Sequence, residues 1–336
     1  MKNVLYIGNN LRGNHRNPSY ITVFGPLLER EGYSVRYASS KANTVLRLLE
    51  MLYAVIKHRK RTDCVLIDTY STLNFYYAFA VSQLCRLLKL DYVPILHGGN
   101  LPKRLHRTPK LSDMIFNHAK QNVSPSHYLY ERFKVHGMAN LTFIPNVISI
   151  DNYPFKERSY TTIKLLWVRS FSVLYNPELA VRVLKTLLDK GYKASLCMVG
   201  PDSDGTLVNV KALASTLGVE VTFTGKLSKA AWTQLSQDYN CFINTTNFDN
   251  TPVSVIEAMA LGLPIVSTNV GGMPYLIQHQ QEGLLVAPES VEAMVEAILY
   301  LFEHATEREH MIANARAVAE SFDWNRVKQL WKEVFE

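Results

Sequence analysis

The chain has no long apolar run. Its longest mostly apolar stretch, residues 73–90, is broken by Asn74, Ser82, Gln83, Arg86 and Lys89, which argues against a membrane span. Cysteine is scarce: Cys64, Cys85, Cys197 and Cys241 each sit in an apolar run, without a Cys-x-x-Cys pair or a His at metal-ligand spacing. That usage excludes a disulfide framework and gives no metal site, so we read four buried free thiols in a reducing compartment. No segment is low-complexity and no repeat of solenoid period occurs. The loop Gly8-Asn9-Asn10-Leu11-Arg12-Gly13-Asn14 is neither G-x-G-x-x-G nor a Walker loop, which leaves nicotinamide or ATP binding with weak support. The opening Met1-Lys2-Asn3 is followed by four apolar residues before Gly8, too short a run for a signal peptide. A soluble, cytoplasmic protein is expected.

What is present is ordinary globular composition, 47% hydrophobic and 19% charged, in 336 residues. That length is roughly twice a usual domain of about 100–200 residues, so two cores are expected. The net charge of +7 conceals an asymmetry. Residues 1–155 carry 20 Lys/Arg against 9 Asp/Glu, whereas residues 156–336 carry 16 against 20. The excess collects in Lys57-His58-Arg59-Lys60-Arg61, closing a helix that begins near Lys41, and in Lys103-Arg104-Leu105-His106-Arg107. These are either solvated helix ends or a face meeting anionic lipid headgroups or an anionic acceptor. Nucleic acid is disfavoured, because no aromatic-interleaved basic stripe accompanies the charge.

Short apolar, β-branched runs alternate with helical-period segments. Strands are predicted at 4–7, 34–38, 64–67, 92–96, 122–123 and 141–144, then at 163–168, 194–199, 219–223, 241–244, 264–267 and 283–286. Amphipathic segments such as 21–31, 178–190 and 255–261 lie between them, which predicts parallel sheets covered on both faces. The Asp151-Asn152-Tyr153-Pro154 stretch has linker composition and sets domains of 1–154 and 155–320, with 321–336 as a terminal helix crossing back.

Open parallel sheets bind ligands where strands end, so the residues just after strands matter most. Gly13 and Asn14 could approach a phosphate or form a plain turn. His97, before Gly98-Gly99-Asn100, suits contact with a sugar hydroxyl or phosphate oxygen, or fills a structural hydrogen bond. Arg169 stands where a strand stops, and its guanidinium can fork onto diphosphate oxygens. Asn176-Pro177-Glu178 reads as a helix cap. The densest segment runs from Asn244 to Ala260, with a helix starting near Pro252 whose free amides can take an anion. Asp249 precedes that helix, and Glu257, little more than a turn further, can reach a ribose diol.

From Asp249 to Pro274 the chain shows an acid, seven residues, Glu257, Ala258-Met259-Ala260, a Gly262-Leu263-Pro264 strand start and a Gly271-Gly272-Met273-Pro274 turn. This resembles the signature of the retaining family-4 glycosyltransferases of the GT-B fold. Ser124-Pro125-Ser126, Ile144-Pro145-Asn146, Val168-Arg169, Val199-Gly200-Pro201, Phe223-Thr224-Gly225 and Glu282-Gly283-Leu284-Leu285-Val286 are similar to the family in order and spacing. The resemblance implies an α/β fold of two Rossmann-like domains facing across a cleft, an N-terminal acceptor-side domain and a C-terminal nucleotide-sugar-binding domain. It implies that Glu257 holds the donor ribose and Arg169 the diphosphate. Asp249 and the backbone of Asn250, Thr251, Pro252 and Val253 would bind the donor sugar and distal phosphate. His97 would contact the sugar, and Gly200, Gly225 and Lys226 would line the base pocket. No metal and no cofactor beyond the nucleotide-diphosphate-sugar donor is implied. The chain departs from the family pattern at Asp249 (usually Glu), at Val168 (usually Gly) and in residues 170–176, where the family's Lys is absent.

The implied activity is transfer of a hexose-type sugar to a glycan or lipid-linked glycan in cell-surface polysaccharide or lipopolysaccharide synthesis; the charge of the basic first domain adds peripheral membrane contact as an expectation. A nucleotide-sugar epimerase of the same fold and a catalytically weak scaffold are the alternatives.

Overall fold

The computed structural model describes residues 2–10 and 19–336, so the Gly13 and Asn14 expectations lie outside the described residues. Among the described residues the chain forms two compact units, Met1–Val147 with Trp324–Glu336, and Ile148–Asp323. The division falls ahead of Pro154 because the stretch after Val147 is bound into the second unit. Ile148 N donates to Phe322 O at 3.0 Å, and Ile150 N to Asp323 Oδ2 at 3.0 Å.

The first unit holds β1 (Asn3–Ile7), β2 (Ser34–Ala38), β3 (Cys64–Thr69), β4 (Tyr92–Leu96), β5 (Asn122–Ser124) and β6 (Leu141–Phe143). They form one parallel sheet in the order β2-β1-β3-β4-β5-β6. Strands β3 and β4 are buried at every residue, as expected of central strands covered on both faces. The last helix, Trp324–Phe335, packs Trp324, Val327, Trp331, Val334 and Phe335 into this unit's core beside Ile21, Phe24 and Leu28. The rings of Phe24 and Trp331 lie 4.4 Å apart. Each such large side chain contributes roughly 1.5–3 kcal/mol on burial, enough to hold a single terminal helix in place. The return of the chain end to the first unit follows the expectation from sequence.

The second unit holds β7 (Ile163–Val168), β8 (Ala194–Val199), β9 (Val221–Gly225), β10 (Cys241–Asn244), β11 (Ile265–Thr268) and β12 (Leu284–Val286). Their order is β12-β11-β10-β7-β8-β9, all parallel. The chain leaves β7 toward β8 and β9, then returns on the other side through β10. The gap beyond the β7 and β10 carboxyl ends is therefore the switch point at which such sheets bind ligands. In the first sheet the same reversal falls between β1 and β3.

All four cysteines are buried and unpaired. Burial pushes the thiols of Cys64, Cys85 and Cys241 up to about 12, so they pack as small apolar groups. Among the described residues, no helix is long and apolar enough to cross a membrane.

Candidate active site

Arg169 follows β7 directly, and its backbone continues the sheet's ladder by donating to Val199 O at 3.0 Å. Its guanidinium lies 4.0 Å over the Tyr175 ring and is ion-paired with Asp249. Both side chains are largely buried, and Arg169 Nε has no hydrogen-bond partner. Gly200, after β8, has φ +153°, and a Cβ there would collide with the Arg169 carbonyl. Its amide donates to Gly225 O at 2.9 Å, so the ends of β7, β8 and β9 are drawn together. Lys226 follows on the surface.

The Asp249 loop is held from beneath by the Gly271-Gly272 turn. Gly272 N donates to Asp249 O at 2.8 Å, and a Cβ on Gly272 would overlap the Asn250 carbonyl. The helix that follows spans Val253–Ala260, with Pro252 at its N-cap and no side chain capping it. Pro252 O accepts from Val255 and Ile256 at 3.1 and 3.3 Å, as the first intrahelical acceptor should. The amides of Val253 and Ser254 precede that ladder, and Ser254 Oγ is buried without a partner. An uncapped helix start with an orphaned hydroxyl and an orphaned guanidinium N–H is a set of donors suited to an anion.

Burial raises the Asp249 carboxyl above the usual carboxylate range. Arg169 and the Asn250 amide, which donates to Oδ1 at 2.8 Å, pull it back without cancelling the rise. A carboxyl raised in the folded state adds stability that is complete below its unfolded value of about 3.9 and is lost as pH climbs through the folded value. Ionised Asp249 is thus a net cost to the fold at neutral pH. We expect Asp249→Asn to melt at or above the wild type at pH 7, with the difference closing as pH falls below the ordinary carboxylate range. Paired thermal melts across that range check this, and a variant that melts lower at neutral pH contradicts it.

Glu257 is buried on the first turns of the same helix. Tyr153 Oη donates to its Oε1 at 2.7 Å, and Lys229 is ion-paired with the same oxygen. Burial and then the Glu257 charge push the Tyr153 phenol well up, so it stays a donor. Among the described residues, no group of three or more His, Cys, Asp or Glu could hold a metal ion.

Residues 149–318, just over half of the chain, match the family described as glycosyl transferases group 1. The chain belongs to that family. An uncharacterized glycosyltransferase of Haemophilus influenzae is 26% identical over 207 residues, 61% of this chain and 56% of that protein. The chain thus spans about half the length of the curated relatives it matches. Anabaena Alr3699/HepE, solved in complex with UDP-glucose, superposes with a TM-score of 0.77 at 16% identity over 99% of both chains. Sucrose-phosphate synthase from Thermosynechococcus elongatus does so with a TM-score of 0.79 at 16% identity, over 100% of this chain and 99% of that one. The fold of this group 1 family member is GT-B.

Within this group 1 protein the second unit brings Arg169 and Asp249 into contact, and sets Glu257 on the helix that Asn250, Thr251, Pro252 and Val253 lead into. His97 belongs to the first unit, where it follows β4. Its Nε2 lies 3.0 Å from Asp68 Oδ1, and the Tyr20 and Tyr70 rings stand 4.8 and 5.3 Å from the imidazole. Tyr6 Oη donates to the same Asp68 oxygen at 3.0 Å, while Asp68 Oδ2 is buried without a partner. A buried carboxylate facing Nε2 fixes the ring and leaves Nδ1 for another group.

Sequence reading missed Asp68, Tyr153, Tyr175 and Lys229. Only Asp68 carried a signal, as an acid at the end of a fully apolar strand beside the His97 strand. One expectation is corrected. Asn176 occupies the N-cap position of helix Pro177–Asp189, but its backbone is left-handed (φ 44°, ψ 57°) and its side chain caps nothing. It donates instead to Asn247 Oδ1 at 3.4 Å. A cavity of about 350 Å³ in the second unit lies at that helix start, among Asn176, Glu178, Arg182, Thr206 and Asn209. Neither Arg169 nor Glu257 lines it.

Proposed function

We propose that this protein is a retaining glycosyltransferase that moves a hexose-type sugar from a nucleotide-diphosphate-sugar to a glycan or lipid-linked glycan acceptor. The observation that carries this reading is the Arg169 guanidinium after β7, ion-paired with Asp249, which stands three residues ahead of the uncapped helix start after β10. Two linked phosphates fit that donor set better than a single carboxylate would, because the guanidinium and the amides offer two separate groups of N–H.

In this reading Arg169 takes the diphosphate, the turn from Asn250 to Val253 takes the distal phosphate and sugar, and Glu257 takes the ribose. Gly200, Gly225 and Lys226 border the base. Asp249 gives up its hold on Arg169 as phosphate arrives and accepts from a sugar hydroxyl, and His97, held by Asp68, offers its other ring nitrogen to a sugar hydroxyl. The bond from the anomeric carbon to the phosphate oxygen breaks as the acceptor oxygen bonds to the same face, and the acceptor proton passes to the departing phosphate. Arg169 and the helix amides stabilise the charge that gathers on that phosphate. No pair of catalytic carboxylates and no metal is needed for this route. The second unit is thus the donor domain and the first the acceptor side. The setting we infer is cytoplasmic, with the first unit at an anionic membrane face where lipid-linked acceptors of cell-surface polysaccharides reside.

The test is an incubation with UDP-, GDP- and ADP-sugars, UDP-glucose first, in the presence and absence of chelator, with proton NMR of the product. Transfer or slow hydrolysis that keeps the donor's anomeric configuration and survives chelation is expected. Inverted product, or a sugar epimerised without transfer, contradicts the reading.

A further inference from the structure

The helix Thr44–His58 in the first unit is apolar on nearly every side. One arc faces the core through Met51, Ala54 and Val55. The other is uncovered: Val45 is 65% exposed, Leu46 55%, Leu49 56%, Tyr53 61% and Ile56 45%. At about 100° per residue these five side chains fall within a single arc of about 100°, opposite the buried one. Elsewhere the chain builds ordinary solvated helix faces. The outer face of Pro177–Asp189, for example, carries the pairs Glu178–Arg182 and Lys185–Asp189. An apolar arc left in water is therefore a departure from this protein's own habit.

Positive charge borders the arc. Lys57 Nζ lies 5.6 Å over the Tyr53 ring, and the helix runs into the 3-10 turn Arg59–Arg61, whose three side chains are exposed. Among the described residues none of Lys57, Arg59, Lys60 and Arg61 is paired with a carboxylate. Burial and then Arg36, Lys57 and Arg61 push the His58 imidazole down, a sign of how little negative charge offsets the cluster.

We propose that Thr44–His58 is a membrane-docking helix that lies in the plane of an anionic bilayer, with Val45, Leu46, Leu49, Tyr53 and Ile56 inserted among the acyl chains and residues 57–61 set on the phosphates. Aliphatic and aromatic side chains on one arc with Lys and Arg at its border is the chemistry of an interfacial helix. A second copy of the chain fits less well. The stripe from Val45 to Ile56 is about 17 Å long and one helix wide, far short of the roughly 800 Å² per partner that a stable dimer buries. A two-fold contact through it would also bring two basic clusters together.

This surface rests on the peripheral-membrane part of the function proposed above, and its assay uses neither donor nor acceptor, so each can fail alone. The experiment is co-sedimentation of the full chain with vesicles of pure phosphatidylcholine and with vesicles containing phosphatidylglycerol, alongside sedimentation velocity without lipid. Binding to the anionic vesicles only is expected. Leu49→Ser with Ile56→Ser, at exposed positions that leave the core untouched, should weaken it at least tenfold, as should the triple change of Arg59, Lys60 and Arg61 to Gln. Tyr53→Trp fluorescence should shift to the blue on adding those vesicles. Absence of binding, binding that the serine pair leaves unchanged, or a dimer in solution that the serine pair dissociates would each overturn the proposal.

Discussion

Replacing Arg169 with alanine is expected to lower sugar transfer by roughly 10²-fold, about 2.7 kcal/mol of barrier, while the circular dichroism spectrum stays that of the wild type. The magnitude follows from the role assigned to the guanidinium. In the proposed reaction it would face a phosphate whose charge grows as the sugar leaves, so its contribution would be greater in the transition state than in the bound donor. Most of the loss should therefore fall on kcat, with a smaller rise in donor KM. The fold is spared for a local reason. Arg169 is tied to its strand end by the backbone bond to Val199, and the variant releases a buried carboxylate, Asp249, that is already held above its ordinary range. Arg169→Lys should recover little, because an ammonium cannot both stack on Tyr175 and fork onto two phosphates. Steady-state kinetics on both variants check this, and near-normal kcat in Arg169→Ala removes the proposed role.

The Glu257→Gln variant should behave in the opposite way. A ribose contact is remote from the reacting carbon and holds donor and transition state alike, so its loss appears in binding. We expect donor Kd and KM to rise at least tenfold, about 1.4 kcal/mol, with kcat within a few-fold of wild type. Glutamine keeps an oxygen for the Tyr153 hydroxyl, and its melting point should stay close to that of the wild type. Glu257→Ala leaves that buried hydroxyl without an acceptor, at a cost of roughly 1–3 kcal/mol, and should lose stability as well as affinity. Isothermal titration with the donor and thermal melts separate the two effects. A kcat loss in Glu257→Gln as large as that in Arg169→Ala would place Glu257 at the chemistry rather than at the ribose.

The sheets were the most legible part of the sequence. Strands predicted at 34–38, 92–96, 163–168, 194–199 and 241–244 start and stop where the structure has them; those at 92–96 and 241–244 are central, bury both faces and read as unbroken apolar runs. The strand predicted at 219–223 instead spans Val221–Gly225. Val219 is buried but packs from the preceding turn, and Gly225, with φ +71°, pairs with Val199 across a register shift that no periodicity reveals. Arg169 at a strand end and Glu257 on a helix were readable from local pattern. Their pairings were not. Tyr153 lies 104 residues from Glu257 in sequence, Asp249 lies 80 from Arg169, and such contacts are set by tertiary packing alone. The left-handed backbone at Asn176 was hidden by the very triplet, Asn-Pro-Glu, that marks a conventional helix start.

A crystal structure of the chain soaked with UDP-glucose, or with the donor found in the transfer assay, would show whether the corner between β7 and β10 grips a diphosphate. Both phosphates are expected within hydrogen-bond distance of the Arg169 guanidinium and of the amides at the start of Val253–Ala260, with the ribose on Glu257. Phosphates seated instead in the cavity beside Asn176 and Arg182, or anywhere that leaves Arg169 still closed on Asp249, would contradict it.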